Sequence, residues 1–271
     1  MAKWPEMLAV ASKFQGKPIA FIAVNSGTPR GSVASYLRQN RVTWPTIVDA
    51  DRSFETRCGV PTISLKSIWQ IRIVSPDGQM TFGNPNDLQA TAERALVGAK
   101  WNIDPAEIPK LLQPSWAAVE FGNYSAAAVS LKRYLKARKP EDNAAAERLQ
   151  EYVVDKLDEQ VELAATALKD ERNWDAYKAY NSIQITFRGF EVPADIAQNI
   201  KTLRKDDAVK LELAALKRLK AASRSVARAK TPTARERGLK SLQRIIDDQP
   251  ETEAAAQAKS LLEEPNGTAT P

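Results

Sequence analysis

The sequence contains no histidine and only one cysteine, Cys58, among its 271 residues. Without an imidazole, the chain cannot use a Ser-His-Asp triad, a Cys-His pair or an HExxH zinc site. A single thiol also excludes a disulfide within the chain and a zinc site with four cysteine ligands. The composition therefore argues against most enzyme classes, and we expect neither a cofactor nor a bound metal.

Long apolar stretches are also missing. No uninterrupted apolar run reaches the 18 residues typical of a membrane-spanning helix, and charged residues make up 27% of the chain. We therefore predict no transmembrane segment. The stretch after Met1, with Trp4-Pro5-Glu6, lacks the basic segment and apolar core of a signal peptide, so the sequence as it stands predicts a cytoplasmic protein.

The net charge of +6 comes from 39 basic and 33 acidic residues. Residues 1–100 carry most of this excess, with 12 basic against 7 acidic side chains. Neither part of the chain is basic enough to require a nucleic acid, so we expect none. The charge leaves the oligomeric state open.

The glycines divide the chain into two parts, since seven of the eleven fall within residues 1–100. In this first part, runs of β-branched residues alternate with helical patterns, as is typical of an α/β unit. We expect helices over residues 5–14, 30–40 and 86–100, and strands over residues 17–25, 45–49, 68–74 and 79–82. A turn at Ser75-Pro76-Asp77-Gly78, with proline second and glycine fourth, is expected to join the last two strands.

After Trp101 a helical periodicity replaces the strand pattern. Apolar residues recur every four positions from Leu149 to Ala165 and at steps of four and three from Val209 to Leu219, which predicts amphipathic helices. Asn123-Tyr124-Ser125-Ala126 recurs 50 residues later as Asn173-Trp174-Asp175-Ala176. We therefore expect a tetratricopeptide-like region of helical hairpins over residues 101–262, followed by a disordered tail over residues 263–271.

Three motifs of the first part occur in a recognisable order. Trp44-Pro45-Thr46-Ile47-Val48-Asp49 is followed by Cys58-Gly59-Val60 and then by Ile73-Val74-Ser75-Pro76-Asp77-Gly78. With these motifs, residues 4–98 resemble the thioredoxin-like superfamily, specifically the TlpA-like and AhpC/TSA-like thiol:disulfide oxidoreductases of bacteria. The resemblance implies a thioredoxin-like α/β fold and thiol-disulfide exchange in the cell envelope. It also implies structural motif positions at Pro5, Trp44, Pro45, Asp49, Gly59, Trp69, Asp77 and Gly78.

The resemblance further implies where the catalytic cysteines belong. In the family a Cys-x-x-Cys pair opens the first long helix, whose N-terminus stabilises the attacking thiolate, and a proline follows the second cysteine by five residues. If Pro5 is that proline, the pair ends just before Met1, and the central strand preceding it is missing. We therefore expect an incomplete, redox-inactive thioredoxin-like domain over residues 1–100, periplasmic or in the cell envelope if the gene extends upstream. The alternative is a true start and a degenerate domain.

The remaining thiol and proline do not restore the family's site. The family's cis-proline falls at Trp69 or Gln70, whereas the nearest proline is Pro61. A lone cysteine such as Cys58, beside Gly59-Val60, is more often a small buried hydrophobe than a functional thiol.

Two charge patterns outside the motifs offer further candidates. The pairs Asp49/Asp51 and Asp247/Asp248 could bind a metal, but without histidine we interpret them as solvated caps. A basic stripe steps by three and four residues and could meet phosphates or anionic lipid headgroups, although a solvated face is the simpler interpretation. The stripe consists of Lys217, Lys220, Arg224 and Arg228.

Three functional hypotheses follow from the sequence. The first is a protein of the thiol:disulfide oxidoreductase family that lacks the cysteine pair. The second is a non-catalytic scaffold whose helical hairpins bind another protein. The third is an anion-binding helical adaptor that uses the basic stripe.

Overall fold

The computed structural model describes residues 4–28, 30–49, 52, 54–55, 58–60, 69–227, 229 and 231–263. Within these residues it contains eleven α-helices, one 3-10 helix and two sheets of two strands each. The chain divides into two compact units: Trp101–Lys217 forms one, and Met1–Lys100 is grouped with Arg218–Pro271 in the other.

The described part of the first 100 residues contains three helices and four short strands. The elements are α1 (Trp4–Ser12), β1 (Ala23–Ser26), α2 (Arg30–Gln39), β2 (Thr46–Asp49), β3 (Ile71–Val74), β4 (Met80–Gly83) and α3 (Leu88–Ala95). β1 pairs in parallel with β2, and β3 pairs with β4 in an antiparallel hairpin. In the hairpin turn, the N–H of Gly78 donates to the carbonyl of Ser75 at 2.9 Å. Gly78 has a φ of +81°, which glycine adopts without steric cost.

The predicted thioredoxin-like α/β fold is wrong. That fold needs one continuous sheet, whereas the described strands form two separate two-stranded sheets in a chain that is mostly helical. The strand predicted over residues 17–25 is reduced to Ala23–Ser26. An apolar run indicates that a segment is buried, but it does not show which strands the segment pairs with. Among the described residues, β1 pairs with another strand along one edge only, and that strand is β2.

An aromatic cluster packs within the first 100 residues. Trp4 is buried and meets Trp44 and Trp69 edge to face, with ring centroids 5.5 and 5.6 Å away. Its Nε1 donates a hydrogen bond to the hydroxyl of Tyr36 at 3.0 Å, and Phe21 lies 5.1 Å from Trp44. The cluster therefore joins α1, α2 and the residues that precede β2 and β3.

The helices predicted after Trp101 are confirmed. The elements are a 3-10 helix (Pro105–Glu107), α4 (Gln113–Glu120), α5 (Tyr124–Tyr134), α6 (Pro140–Lys169), α7 (Asn173–Thr186), α8 (Asp195–Leu203) and α9 (Asp207–Ala227). Each helix from α4 to α7 packs against the next one along the chain. Leu149, Val153 and Leu157 of the predicted stripe are buried, but at the end of α6 Ala164 is buried in place of Ala165. The shift arises because a four-residue step drifts around a helix of 3.6 residues per turn.

Two further helices, α10 (Pro232–Asp248) and α11 (Glu253–Glu263), follow α9. The hydroxyl of Thr231 accepts the N–H of Ala234 at 3.2 Å and caps α10, which has proline in its first turn. α10 approaches α9 closely, since a Cβ added to Gly238 would lie 2.6 Å from Cγ2 of Val226. Across the described part of the chain, no helix combines the length and apolar character needed to cross a membrane.

Candidate functional site

Two adjoining hollows lie along α6, and we call them together the α6 groove. The acidic hollow, of about 250 Å³, is lined by Asn102, Ile103, Asp104, Glu107, Arg148, Glu151, Tyr152 and Asp155. The Phe187 hollow, of about 180 Å³, is lined by Tyr124, Lys156, Gln160, Ser182, Ile183, Thr186 and Phe187. All of these residues belong to the compact unit Trp101–Lys217.

Side chains of α4 hold the outer wall of the acidic hollow in place. The carboxylate of Glu120 accepts hydrogen bonds from the backbone and side-chain N–H groups of Asn102, both at 2.9 Å. The buried indole of Trp116 donates to the carbonyl of Ile103 at 2.8 Å. The segment that carries Asp104 and Glu107 is therefore fixed against the helical core rather than left as a free loop.

The acidic hollow has an excess of negative charge. Its lining includes four carboxylates and one guanidinium, a formal charge of −3. Arg148 pairs with Glu107, and both side chains are more than half exposed, so this ion pair contributes little stability. Among the described residues, Glu151 and Asp155 form no ion pair, and their charges are left to attract a cation.

The Phe187 hollow has an apolar floor and a polar rim. Ile183 and Phe187 form the floor and are each only 1% exposed. Gln160, Ser182 and Thr186 contribute amide and hydroxyl groups around it. Because the two floor side chains are almost fully covered, they support the hollow but offer little apolar surface of their own.

Lys156 and Tyr152 mark the boundary between the hollows. The ammonium of Lys156 lies 5.6 Å from the ring centroid of Tyr152 and 2.8 Å from the carboxylate of Glu159. The hydrogen bond with Glu159 raises the pKa of Lys156, and burial raises the pKa values of Tyr152 and Tyr124. At neutral pH the groove therefore presents one ammonium and two protonated phenols, which can donate hydrogen bonds.

The two copies of the sequence repeat occupy similar helix positions but make different contacts. Asn123 immediately precedes α5, and Asn173 is the first residue of α7. Tyr124 stacks on Phe187, whereas Trp174 stacks on Tyr177 within its own helix. Only the first copy therefore contributes to the groove.

The structure places Cys58 in a turn that a β3 side chain supports. The N–H of Cys58 donates to the carbonyl of Glu55 at 3.0 Å. Arg72 donates to the carbonyls of Cys58 and Gly59 at 3.0 and 2.7 Å. Cys58 is a partly buried free thiol, and Gly59 has a φ of +60°.

Asp49 and Pro45, two of the positions that the resemblance singled out, accept backbone hydrogen bonds in and next to β2. The carboxylate of Asp49 is buried and accepts the N–H groups of Phe54 and Glu55 at 3.1 and 2.8 Å, so it caps the following turn. The carbonyl of Pro45 accepts the N–H of Ala23 at 2.9 Å. Asp51 and Pro61 lie outside the described residues.

Other sequence candidates are exposed. Pro5 lies in the first turn of α1. In the β3–β4 turn the Asp77 carboxylate accepts hydrogen bonds from the Ser75 hydroxyl and the Gln79 N–H, which lower the pKa of Asp77, the former more strongly. Asp248 pairs with Arg218 at 3.1 Å.

The basic stripe is exposed on α9. Lys217, Lys220 and Arg224 are at the surface, and Arg228 lies outside the described residues. None of these three side chains lines either hollow of the α6 groove.

The α6 groove is the feature that sequence analysis did not predict. Glu151, Tyr152 and Asp155 lie off the apolar stripe of α6, which is the one local signal of an exposed functional side. Comparison with protein families gives no matching family model, and comparisons with curated proteins and with solved structures give no match. The function therefore has to be inferred from the geometry of the groove.

Proposed function

We propose that this protein is a non-catalytic scaffold that binds another protein through the α6 groove. The observation that carries the proposal is the pair of adjoining hollows on one helix, one with a buried apolar floor and the other with uncompensated carboxylates. Such a combination offers charge complementarity together with hydrogen-bonding groups over a rigid floor, features that make protein interfaces specific.

The size of the hollows favours a polypeptide over a small molecule. Pockets for small ligands usually enclose about 300–1,000 Å³. The two hollows measure about 250 and 180 Å³ and lie side by side, so each suits a single side chain. α6 itself has 30 residues and is about 45 Å long, enough to support several residues of a partner.

The other two hypotheses remain predictions. Thiol-disulfide exchange needs a second thiol to resolve a mixed disulfide, and the sequence contains only Cys58. The basic stripe on α9 offers exposed charge without an apolar or aromatic group to order a ligand. Neither supplies a formed recess comparable to the α6 groove.

Site-specific photo-crosslinking tests the proposal. The full-length protein is expressed with p-benzoylphenylalanine in place of Tyr152 or Ser182, and a matched control carries it at Val129, an α5 residue that is 82% exposed and does not line the groove. We expect both groove positions to cross-link to one and the same protein and the control position not to. Equal labelling from Val129, or no cross-link from either groove position, would contradict the proposal.

A further inference from the structure

The β3–β4 hairpin carries large, exposed apolar side chains on one of its faces. Phe82, Val74 and Met80 are 70%, 60% and 44% exposed. Phe82 lies opposite Arg72 and Met80 lies opposite Val74, so the alternation of side chains along a strand places all four on the same face. Ile73 belongs to the other face and is only 7% exposed. The hairpin therefore has apolar side chains on both faces, and one of these faces meets water.

The backbone of β4 has an unpaired edge. In the part of the chain that the structure describes, β4 pairs with β3 only. The N–H of Ser75 donates to the carbonyl of Gln79 at 2.9 Å, and hydrogen-bonded pairs alternate along the antiparallel ladder from there. The N–H and C=O groups of Thr81 therefore point toward β3, whereas those of Met80 and Phe82 point away from it. Such an edge is a template for pairing with another strand.

A side chain of α3 occupies part of this edge. The guanidinium of Arg94 donates a hydrogen bond to the carbonyl of Phe82, one of the groups that point away from β3. Arg94 is exposed, so this hydrogen bond exchanges readily with one to water or to another strand. A charged side chain beside an apolar strand edge is also a common means of limiting edge-to-edge association. Arg94 therefore competes with any strand that pairs with β4.

The edge of β4 is complementary to itself. When two copies pair antiparallel about a two-fold axis at Thr81, Met80 of each copy lies opposite Phe82 of the other, and both pairs exchange backbone hydrogen bonds. Each pair also places a thioether against an aromatic ring, which is a favourable contact. A stable interface buries about 800 Å² per partner, and three residues of strand, about 10 Å long, cover only part of that area. The pairing is therefore expected to be weak.

We propose that β4 pairs edge to edge with β4 of a second copy of this chain, and that Arg94 restrains the pairing by holding the carbonyl of Phe82. The self-complementary register favours a second copy over a foreign strand, because it matches both the backbone groups and the exposed side chains of the edge. The surface lies within the first 100 residues and does not depend on the α6 groove. Removal of Arg94 from the carbonyl strengthens the dimer.

Sedimentation velocity of the full-length protein, over about 5–500 μM, measures the self-association. We expect Arg94→Ala to lower the Kd of the dimer at least about fivefold, the effect of freeing one hydrogen-bond acceptor in each copy. Adding Phe82→Lys to Arg94→Ala is expected to return the protein to a monomer, since it puts a charge in place of the exposed ring. The matched controls are Arg38→Ala, at an exposed arginine of α2, and Val97→Lys in the Arg94→Ala background, at a residue that is 75% exposed and lies outside the hairpin.

Cysteine cross-linking tests the register of the pairing. In the proposed dimer Thr81 lies opposite Thr81 of the other copy in a non-hydrogen-bonded pair, with Cα atoms about 4.5 Å apart, within the range of about 4.4–6.8 Å for a disulfide. Cys58→Ser removes the natural thiol, so an introduced cysteine is the only one. In this background Thr81→Cys is expected to give a disulfide-linked dimer on oxidation with copper phenanthroline. Met80→Cys is the control on the same strand, because its diagonal partner lies about 7–8 Å away.

Four results would overturn the inference. Arg94→Ala and Arg38→Ala would change the Kd equally, or Phe82→Lys would weaken the dimer no more than Val97→Lys does. Met80→Cys would cross-link as readily as Thr81→Cys, or the Arg94→Ala variant would stay monomeric over the whole concentration range, which would leave the edge to a foreign strand. Since Thr81 is exposed, the cross-linking test holds even if Phe82→Lys unfolds the hairpin.

Discussion

The ring of Tyr124 stacks on the ring of Phe187, with the centroids 4.9 Å apart and the planes inclined by 26°. The contact joins the start of α5 to the residue that follows α7, and both rings line the Phe187 hollow. Because Phe187 is only 1% exposed, the floor of the hollow belongs to the core of the unit. The shape of the groove and the stability of the helical unit therefore depend on the same contact.

Truncation of this aromatic pair is expected to destabilise the protein. Phe187→Ala removes a buried ring and should lower the free energy of unfolding by about 3–5 kcal/mol, as large-to-small core substitutions do. Tyr124→Phe keeps the ring and should cost less than about 1 kcal/mol, so it serves as the control. Urea unfolding followed by circular dichroism measures both, and a Phe187→Ala variant as stable as Tyr124→Phe would refute the assignment of this contact to the core.

Gly189 is expected to tolerate no side chain, because its φ is +101° and an added Cβ would lie 2.7 Å from the Cβ of Ala128. Gly122 is the matched control, with a φ of +73° and no atom within 4 Å of an added Cβ. Gly122→Ala is expected to cost about 1–2 kcal/mol from backbone strain alone. Gly189→Ala should cost about 1–3 kcal/mol more, from overpacking. Equal melting temperatures of the two variants would show that Gly189 does not lie close enough to Ala128 to exclude a methyl group.

The carboxylate of Asp175 gives a pH-dependent contribution to stability. Its pKa is lowered first by the hydrogen bond with Lys178, with Arg172 adding to the effect. A lowered folded-state pKa stabilises the protein above the unfolded pKa of about 3.9, and the contribution is lost as the pH falls through the folded value. Because the side chain is 45% exposed, Asp175→Asn should cost only about 0.5 kcal/mol at pH 7 and less than that at pH 2.

Urea titrations of Asp175→Asn and of an Asp158→Asn control at pH 7 and pH 2 test this contribution. The control removes one exposed carboxylate of α6 for which no ion pair is formed among the described residues. A loss of stability in Asp175→Asn that is the same at both pH values would contradict an electrostatic origin.

Arg72 is expected to protect Cys58 from reaction. Its guanidinium donates to the carbonyls of Cys58 and Gly59 and lies 4.2 Å from the ring centroid of Phe82. Loss of about 1 kcal/mol of hydrogen bonding in Arg72→Gln should raise the rate of thiol modification about fivefold, since the turn opens more often.

The single thiol makes this measurement site-specific, with Ellman's reagent as the probe and Arg38→Gln as the control on α2. An unchanged rate in Arg72→Gln would show that the turn is held by other contacts. A slower rate would indicate that the guanidinium activates the thiol instead of shielding it.

Local sequence patterns predicted the helices better than the strands. The stripe of Leu149, Val153 and Leu157 specifies α6 because each residue packs on the same side of a structure that satisfies its own backbone. Residues 17–22 have an equally apolar pattern but form no strand, since a strand requires a partner distant in sequence. The prediction of a thioredoxin-like fold failed at this step.

The α6 groove could not be predicted for the same reason. Glu107 and Arg148 are 41 residues apart in sequence and meet because Trp116 and Glu120 hold the segment before α4 against the core. The exposed charges of α6 are visible in the sequence, but nothing local distinguishes them from a solvated face. Tertiary packing is what turns them into one wall of a hollow.

Calorimetric titration of the cross-linked partner, purified separately, into the full-length protein tests the central claim most directly. Ser182→Arg places a long side chain over the Phe187 hollow without altering its buried floor, and Val129→Arg adds the same charge on an exposed side of α5. The account predicts that Ser182→Arg weakens binding at least about tenfold, as expected for a central interface position, while Val129→Arg binds like the wild type. Unchanged affinity in Ser182→Arg would show that the partner does not occupy the α6 groove.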